Sequence, residues 1–156
     1  MLFTLNNFVN ANKKVIKNMA NSNKTNEEIK RFLIEFWNSV CENILEWNLL
    51  ECKDLSKKSL REDFIITQGV SFLALGLLAD FFASNPGINM KQHLFRLRNI
   101  DWARNNLRTW SGSAIKSNGK INRNTSGINL TYLTIKHLVD LPLNQTEKNT
   151  LERRKA

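Results

Sequence analysis

Residues 60–84 read LREDFIITQGVSFLALGLLADFFAS, and this stretch decides the fold of the 156-residue chain. Between Val70 and Phe82 it is apolar on nearly every side of a helical projection, which is typical of the buried central helix of a bundle. The turn signal Asn85-Pro86-Gly87 follows it directly and ends it. We therefore predict one long central helix over residues 60–84.

Two capping boxes mark helix starts, because in each a hydroxyl can accept from the N3 amide while the N3 carboxylate accepts from the cap amide. Thr25 with Glu28 starts the clearest helix of the chain. Ser59 with Glu62 is predicted to start the central helix, with Ser56 as an alternative, earlier start. The helix after Thr25 carries apolar residues at i, i+3 and i+4 spacing over four turns. These predicted core positions are Ile29, Phe32, Leu33, Phe36, Trp37, Val40, Cys41, Ile44 and Leu45.

Shorter helices are predicted on both sides of these two. An imperfect apolar stripe indicates a first helix over about Thr4–Ala20. Met90–Ile100 forms a short amphipathic helix, and helical order resumes over Ser126–Leu138. Asn144 with Glu147 then indicates a last short helix.

A polar connection lies between the Met90–Ile100 helix and the Ser126–Leu138 helix. Asp101 is well placed to cap a further turn that begins at Trp102. Ser117-Asn118-Gly119-Lys120 predicts a turn, because Asn-Gly tolerates positive φ. The predicted fold class is therefore all-α: one helical, bundle-like domain over residues 1–156, with a polar, hairpin-like loop around residues 111–125.

The two cysteines indicate neither a metal site nor a disulfide framework. Cys41 and Cys52 lie eleven residues apart with no CxxC pair and no nearby histidine. Cys41 falls on an apolar stripe and is expected to be a buried thiol. We expect no cofactor and no metal.

The N-terminus lacks the layout of a signal peptide, since Asn and Lys interrupt its apolar runs. The longest apolar run, Val70–Phe82, is too short and too polar to span a bilayer. We therefore expect a cytoplasmic protein with no membrane partner.

The positive charge is concentrated in one part of the chain. Lys91–Lys136 contains nine Lys and Arg against one acid, Asp101, whereas residues 1–90 hold ten of each sign. A net charge of +9 and a pI near 9.8 indicate an anionic partner, with nucleic acid ahead of a membrane surface. We expect contacts with DNA phosphates from Arg104, Arg108, Lys116, Lys120, Arg123 and Lys136. The alternative is a basic face that is merely solvated.

Two tryptophans, Trp102 and Trp110, stand among these bases. Tryptophans so placed can stack on unpaired bases, as in single-strand binders, or can pin a loop to the core. We expect the second role, with Asp101 and Gly112 helping to hold the basic segment in place.

Catalytic signatures are missing from the sequence, which has no HExxH, P-loop or Gly-rich dinucleotide motif. A nuclease would have to use His93, His137 and Asp101 as its base and charge stabilisers. Each has a plainer role: Asp101 as a helix cap, His93 on a solvent face, and His137 next to Lys136 on a basic helix face. We expect no catalytic residue and a protein that is not an enzyme.

A long, ordered set of residues begins with Ile100-Asp101-Trp102, Arg104, Asn106, Trp110, Gly112, Gly119, Leu130-Thr131, Ile135-Lys136, Leu141-Pro142-Leu143 and Glu147. This set resembles the C-terminal region of the DndB family of DNA sulfur modification proteins. The similarity extends backwards through Phe36-Trp37-Asn38, Leu60-Arg61, Gly69-Val70 and Ala74-Leu75-Gly76 to Leu2-Phe3-Thr4-Leu5.

This resemblance implies a DNA-binding repressor of the genes for DNA phosphorothioation, the replacement of a backbone oxygen by sulfur. Proteins of this family are not the sulfur-transferring enzymes. The family's ParB-like N-terminal half, with its Asp-Gly-Gln-His-Arg motif, has no counterpart here, so a C-terminal fragment is expected. Ser113 stands where the resemblance leads us to expect Arg, which removes one candidate phosphate contact.

The alternative function is a protein-interaction module. In that case the chain docks a separate ParB-like half, or another phosphorothioation protein, through its apolar helices. The sequence shows no recognition-helix signature that names base-contacting residues.

Overall fold

The computed structural model describes residues 5–52 and 56–155 and confirms a single all-helical domain. These two ranges contain nine α-helices, two short 3₁₀ helices and isolated β-bridges in place of strands. The α-helices are α1 Leu5–Asn21, α2 Asn26–Asn43, α3 Leu45–Glu51, α4 Lys57–Asp63, α5 Gly69–Ser84, α6 Met90–Leu94, α7 Leu107–Trp110, α8 Thr125–Leu138 and α9 Gln145–Lys155. The predicted start of the first helix, Thr4, and the similar residues 2–4 lie outside the described ranges.

Helix α5 is the buried centre of the domain and packs mainly against α1 and α8. Gly76 lets α1 approach closely, because a Cβ at this position would collide with the main-chain carbonyl of Ala11. The same interface contains a polar contact, in which Asn18 Nδ2 donates to Asp80 Oδ1 over 2.8 Å. The α1–α5 packing is therefore fixed by both shape and a partly buried hydrogen bond.

The prediction of one long helix over residues 60–84 is wrong. The chain is helical over α4, adopts an extended conformation at Phe64 (φ −125°, ψ 138°), makes a 3₁₀ turn over Ile65–Thr67, and starts α5 only at Gly69. The cause is distant in sequence. Main-chain amides and carbonyls beside Phe64 pair with residues 102–104, with Ile65 N donating to Trp102 O over 3.0 Å and Arg104 N to Asp63 O over 2.7 Å.

The helix starts were predicted with mixed success. The Thr25–Glu28 capping box is confirmed, with both reciprocal hydrogen bonds present. The box of Ser59 with Glu62 is wrong, because Ser56 is the cap and its Oγ accepts from Ser59 N over 3.0 Å. The earlier start at Ser56 is therefore confirmed.

The apolar stripe of α2 is confirmed except at its end. Trp37 is buried, and its indole stacks on Phe72 with 4.7 Å between ring centroids. Cys41 is exposed, and so is Leu45, so the prediction that both are core residues is wrong. The buried face contains Phe36, Val40 and Ile44. Cys41 and Leu45 each follow a buried residue directly in the sequence, so their side chains lie at the edge of the buried face.

The C-terminal helices follow the predicted order. Asn124 caps α8, with its Oδ1 accepting from Gly127 N over 2.7 Å. Asn144 and Glu147 form a reciprocal cap at the start of α9, with both hydrogen bonds 2.9 Å long. No helix within the described ranges combines the length and apolarity needed to cross a membrane.

Candidate nucleic-acid interface

A stacked pair of buried tryptophans forms the base of the basic segment. Trp102 and Trp110 are fully buried, with ring centroids 5.3 Å apart and planes inclined by 14°. Trp110 Nε1 donates to the main-chain oxygen of Asp101 over 2.9 Å. Asp101 Oδ1 accepts from Ala103 N over 3.0 Å, so the carboxylate closes a local turn, and the next helix, α7, begins only at Leu107. Neither indole presents a face on which an unpaired base can stack.

The loop that follows is hairpin-like, as predicted. Ile115 forms isolated bridges with Ser111 and with Ile121, and Lys116 N donates to Lys120 O over 2.8 Å across the turn. Gly119 adopts φ +76° in this turn. The side chains of Lys116 and Lys120 are exposed at its tip.

Gly112 holds the first bend of the loop. Its φ is +75°, and its N–H donates to Ile115 O over 2.7 Å. A Cβ at this position would lie only 2.9 Å from Arg154 Cγ of α9. Both the backbone conformation and the available space therefore require glycine here.

Arg104 belongs to the same loop unit as Lys116 and Lys120. Its half-buried guanidinium donates from Nη2 to Gly119 O over 3.2 Å, which ties the turn to the tryptophan segment. It lines a shallow hollow together with Glu62 and Asp63. Arg104 is therefore better suited to supporting the loop than to neutralising a phosphate.

Arg108 and Arg123 are exposed at the two flanks of this loop. Arg108, on α7, borders a groove formed with α8 and α9. Arg123 lines a different hollow, together with Arg61 and the first residue of α5, Gly69. Arg61 is a basic neighbour that sequence reasoning missed, since it is distant in the chain and lies in a part with balanced charge.

Lys136 does not lie on this surface. Its side chain is 4% exposed, and Nζ donates to both carboxylate oxygens of Glu147 over 2.8 and 2.9 Å. The ammonium also lies 4.2 Å from the centroid of the Phe81 ring. The expectation that Lys136 contacts phosphate does not fit this burial, because an ammonium that is already paired in the core cannot reach DNA.

The other bases between residues 91 and 136 have partners elsewhere in the domain. Lys91 pairs with Glu35 at 3.6 Å, and Arg96 pairs with Asp140 at 3.3 Å. Arg98 donates twice to Asn43 Oδ1, over 3.0 and 2.6 Å. Within this stretch, the exposed cations whose side chains form neither an ion pair nor a hydrogen bond with a described residue are Arg108, Lys116, Lys120 and Arg123.

Arg154, which sequence reasoning also missed, locks the loop to α8 and α9. Its Nη1 donates to Thr109 O, to Ser113 Oγ and to Thr134 Oγ1, over 3.0, 3.2 and 2.7 Å. Burial lowers the pKa of the Arg154 guanidinium. The only signal in the sequence was the basic end of the last helix, Arg153-Arg154-Lys155.

Ser113 is fully buried, and its Oγ donates to Trp110 O over 3.0 Å. A side chain at this position points into the domain. Ser113 therefore lies beneath the basic loop, and the loss of a phosphate contact at this position stays a prediction.

Two of the three residues considered for a nuclease, His93 and Asp101, have structural partners. His93 Nδ1 lies 2.8 Å from Val139 O, and Asp101 caps the turn described above. His137 is exposed beside the groove of Arg108. Within the described ranges, no three His, Cys, Asp or Glu side chains are grouped as metal ligands.

The fold and the surface together define an all-helical domain that presents unpaired cations beside a buried tryptophan pair. The family model for DndB, described as DNA-sulfur modification-associated, matches residues 1–142 of this sequence. The chain therefore belongs to the DndB family, which is linked to DNA phosphorothioation. Searches of curated proteins and of solved structures found no match.

Proposed function

We propose that this chain is a DNA-binding, non-enzymatic regulator, of the transcriptional repressor type, in a DNA phosphorothioation system. It acts in the cytoplasm and binds the phosphate backbone of DNA through Arg108, Lys116, Lys120 and Arg123. Arg104 and the tryptophan pair hold the loop in its binding position. Family membership supports the link to DNA sulfur modification.

The observation that carries this proposal is the set of four exposed cations whose side chains form neither an ion pair nor a hydrogen bond with a described residue. The other basic residues between 91 and 136 already use side-chain nitrogens in the contacts described above. Lysine and arginine that neutralise phosphates release counterions, which lowers affinity by about 0.9 decades per phosphate for each tenfold rise in salt. Four contacts give a slope of roughly −3 to −4.

The double variant Lys120→Gln with Arg123→Gln removes two of the four proposed phosphate contacts. It should weaken binding to every duplex alike and make the salt slope shallower by about 2, because two phosphate contacts are lost. The measurement is fluorescence anisotropy of a labelled duplex across a salt series.

The matched control is Lys13→Gln with Lys17→Gln, which removes the same charge from exposed positions of α1. We expect the control to change the slope by much less than the loop variant. Equal slopes for the loop variant and the unmodified chain would refute the proposed phosphate contacts.

A further inference from the structure

A groove of about 760 Å³ opens between α7, the C-terminal half of α8 and α9. Its walls combine apolar and basic side chains, whereas a surface that binds only phosphate needs the basic ones alone. Leu107 and Leu138 are 54% and 39% exposed on its walls. Arg108, Lys148 and Arg154 add positive charge, and Glu152 is the one carboxylate among the lining residues.

The guanidinium of Arg154 is incompletely satisfied in this groove. Its three hydrogen bonds all start from Nη1 and end on neutral oxygens. Nε and Nη2 donate to no residue of the described chain, and no described carboxylate forms an ion pair with Arg154. A half-buried guanidinium without a counter-charge is suited to a planar anion, since its fork can bind a carboxylate through two parallel hydrogen bonds.

The exposed leucines favour the carboxylates of a protein helix over the phosphates of DNA as the anions that bind here. Contacts with DNA phosphates cover polar groups and leave Leu107 and Leu138 in water, whereas an amphipathic helix buries apolar side chains and presents carboxylates from the same face. Apolar side chains exposed on both sides of one groove are typical of protein-interaction sites. Charge complementarity with Arg108, Lys148 and Arg154 requires that the partner be acidic.

We propose that this groove docks an acidic amphipathic helix of a partner protein, with its apolar side chains between Leu107 and Leu138 and a carboxylate on Arg154. The site is separate from the lysines of the 111–125 loop and shares only Arg108 with the proposed DNA surface. The proposal therefore stands whether or not the chain binds DNA.

The test uses the full chain and a fluorescein-labelled helical peptide of about 16 residues with leucines at i, i+3 and i+4 and glutamates beside them. Two further peptides serve as references, one with serine in place of every leucine and one with lysine in place of every glutamate. We expect the acidic leucine peptide to bind at least about tenfold more tightly than either reference, which corresponds to about 1.4 kcal/mol.

The groove variant is Leu107→Ser with Lys148→Gln, and the matched control is Leu45→Ser with Lys13→Gln. Leu45 is 50% exposed, close to the value for Leu107, so the control removes a similar leucine and the same charge outside the groove. The groove variant should weaken peptide binding about tenfold, and the control by less than about twofold.

Amide shifts in NMR spectra should map the bound peptide to residues 107–111, 134–138 and 148–152. Equal weakening by both variants, or equal binding of the leucine-free peptide, would show general attraction to a basic chain and would overturn the proposal. A second contradicting result is that duplex DNA displaces the peptide and that Leu107→Ser lowers the affinity for DNA. The groove would then bind nucleic acid, and the proposal of a docked helix would be overturned. The Lys120→Gln, Arg123→Gln variant should bind the peptide normally, which separates this test from that of DNA binding.

Discussion

Replacing Trp110 with alanine should lower the free energy of unfolding by about 3–5 kcal/mol. The indole is fully buried, stacks on Trp102, and donates a hydrogen bond to Asp101 O. The substitution leaves a cavity beneath the loop and removes one of the two hydrogen bonds that Asp101 O accepts, the other coming from Asn106 Nδ2. Urea denaturation followed by circular dichroism at the helical wavelength measures the change.

Trp110→Phe is the matched variant, because it keeps a ring against Trp102 and removes the indole N–H. Its cost should be smaller, about 1–3 kcal/mol, from the lost hydrogen bond and the smaller ring. Under conditions where each variant is folded, Trp110→Ala should also weaken DNA binding more than Trp110→Phe. The reason is that the loop with Lys116 and Lys120 packs on the two tryptophans. A change below about 1 kcal/mol for Trp110→Ala would contradict the proposed role of the tryptophans.

Replacing Lys136 with methionine should lower the free energy of unfolding by about 3 kcal/mol. The ammonium is buried and bonded to both oxygens of Glu147, whose side chain is only 18% exposed. Removing it leaves a largely buried carboxylate without its counter-charge. Thermal and urea denaturation of the single variant test the size of the effect.

The double variant Lys136→Met with Glu147→Gln should recover much of this loss. Glutamine keeps the reciprocal cap with Asn144 at the start of α9 and carries no charge, so a double-mutant cycle isolates the ion pair. The DNA salt slope of folded Lys136→Met should match that of the unmodified chain. A stable single variant with a slope shallower by about 1 would show instead that Lys136 binds phosphate.

Local signals in the sequence predicted most of the helices. The capping box of Thr25 and Glu28 depends only on residues three apart, and so does the cap of Asn144 and Glu147, and both are present. The all-round apolar character of Val70–Phe82 correctly indicated a buried central helix, because burial on every side leaves no polar face.

The break at Phe64 could not be predicted in this way. Its extended conformation is stabilised by main-chain hydrogen bonds to Trp102 and Arg104, which are distant in the chain. Helical periodicity continues through the break and carries no information about that pairing. The burial of Ser113 had no local signal either, and one of its hydrogen-bond partners, Arg154, lies in the last helix.

The charges of the candidate site were also only partly predictable from the sequence. Counting residues located the basic stretch but could not separate paired from unpaired cations. Lys136 and Arg108 look alike in the sequence, yet one is buried against Glu147 and the other is exposed. Only the packing of α8 against α9 distinguishes them.

The most direct test of the central claim is fluorescence anisotropy of the full chain with two labelled duplexes across a salt series. One duplex carries the promoter region of the adjacent modification genes, and the other is a scrambled sequence of the same length. We predict binding to both with a slope of roughly −3 to −4, and tighter binding to the promoter. No binding to either duplex at low salt would contradict the account.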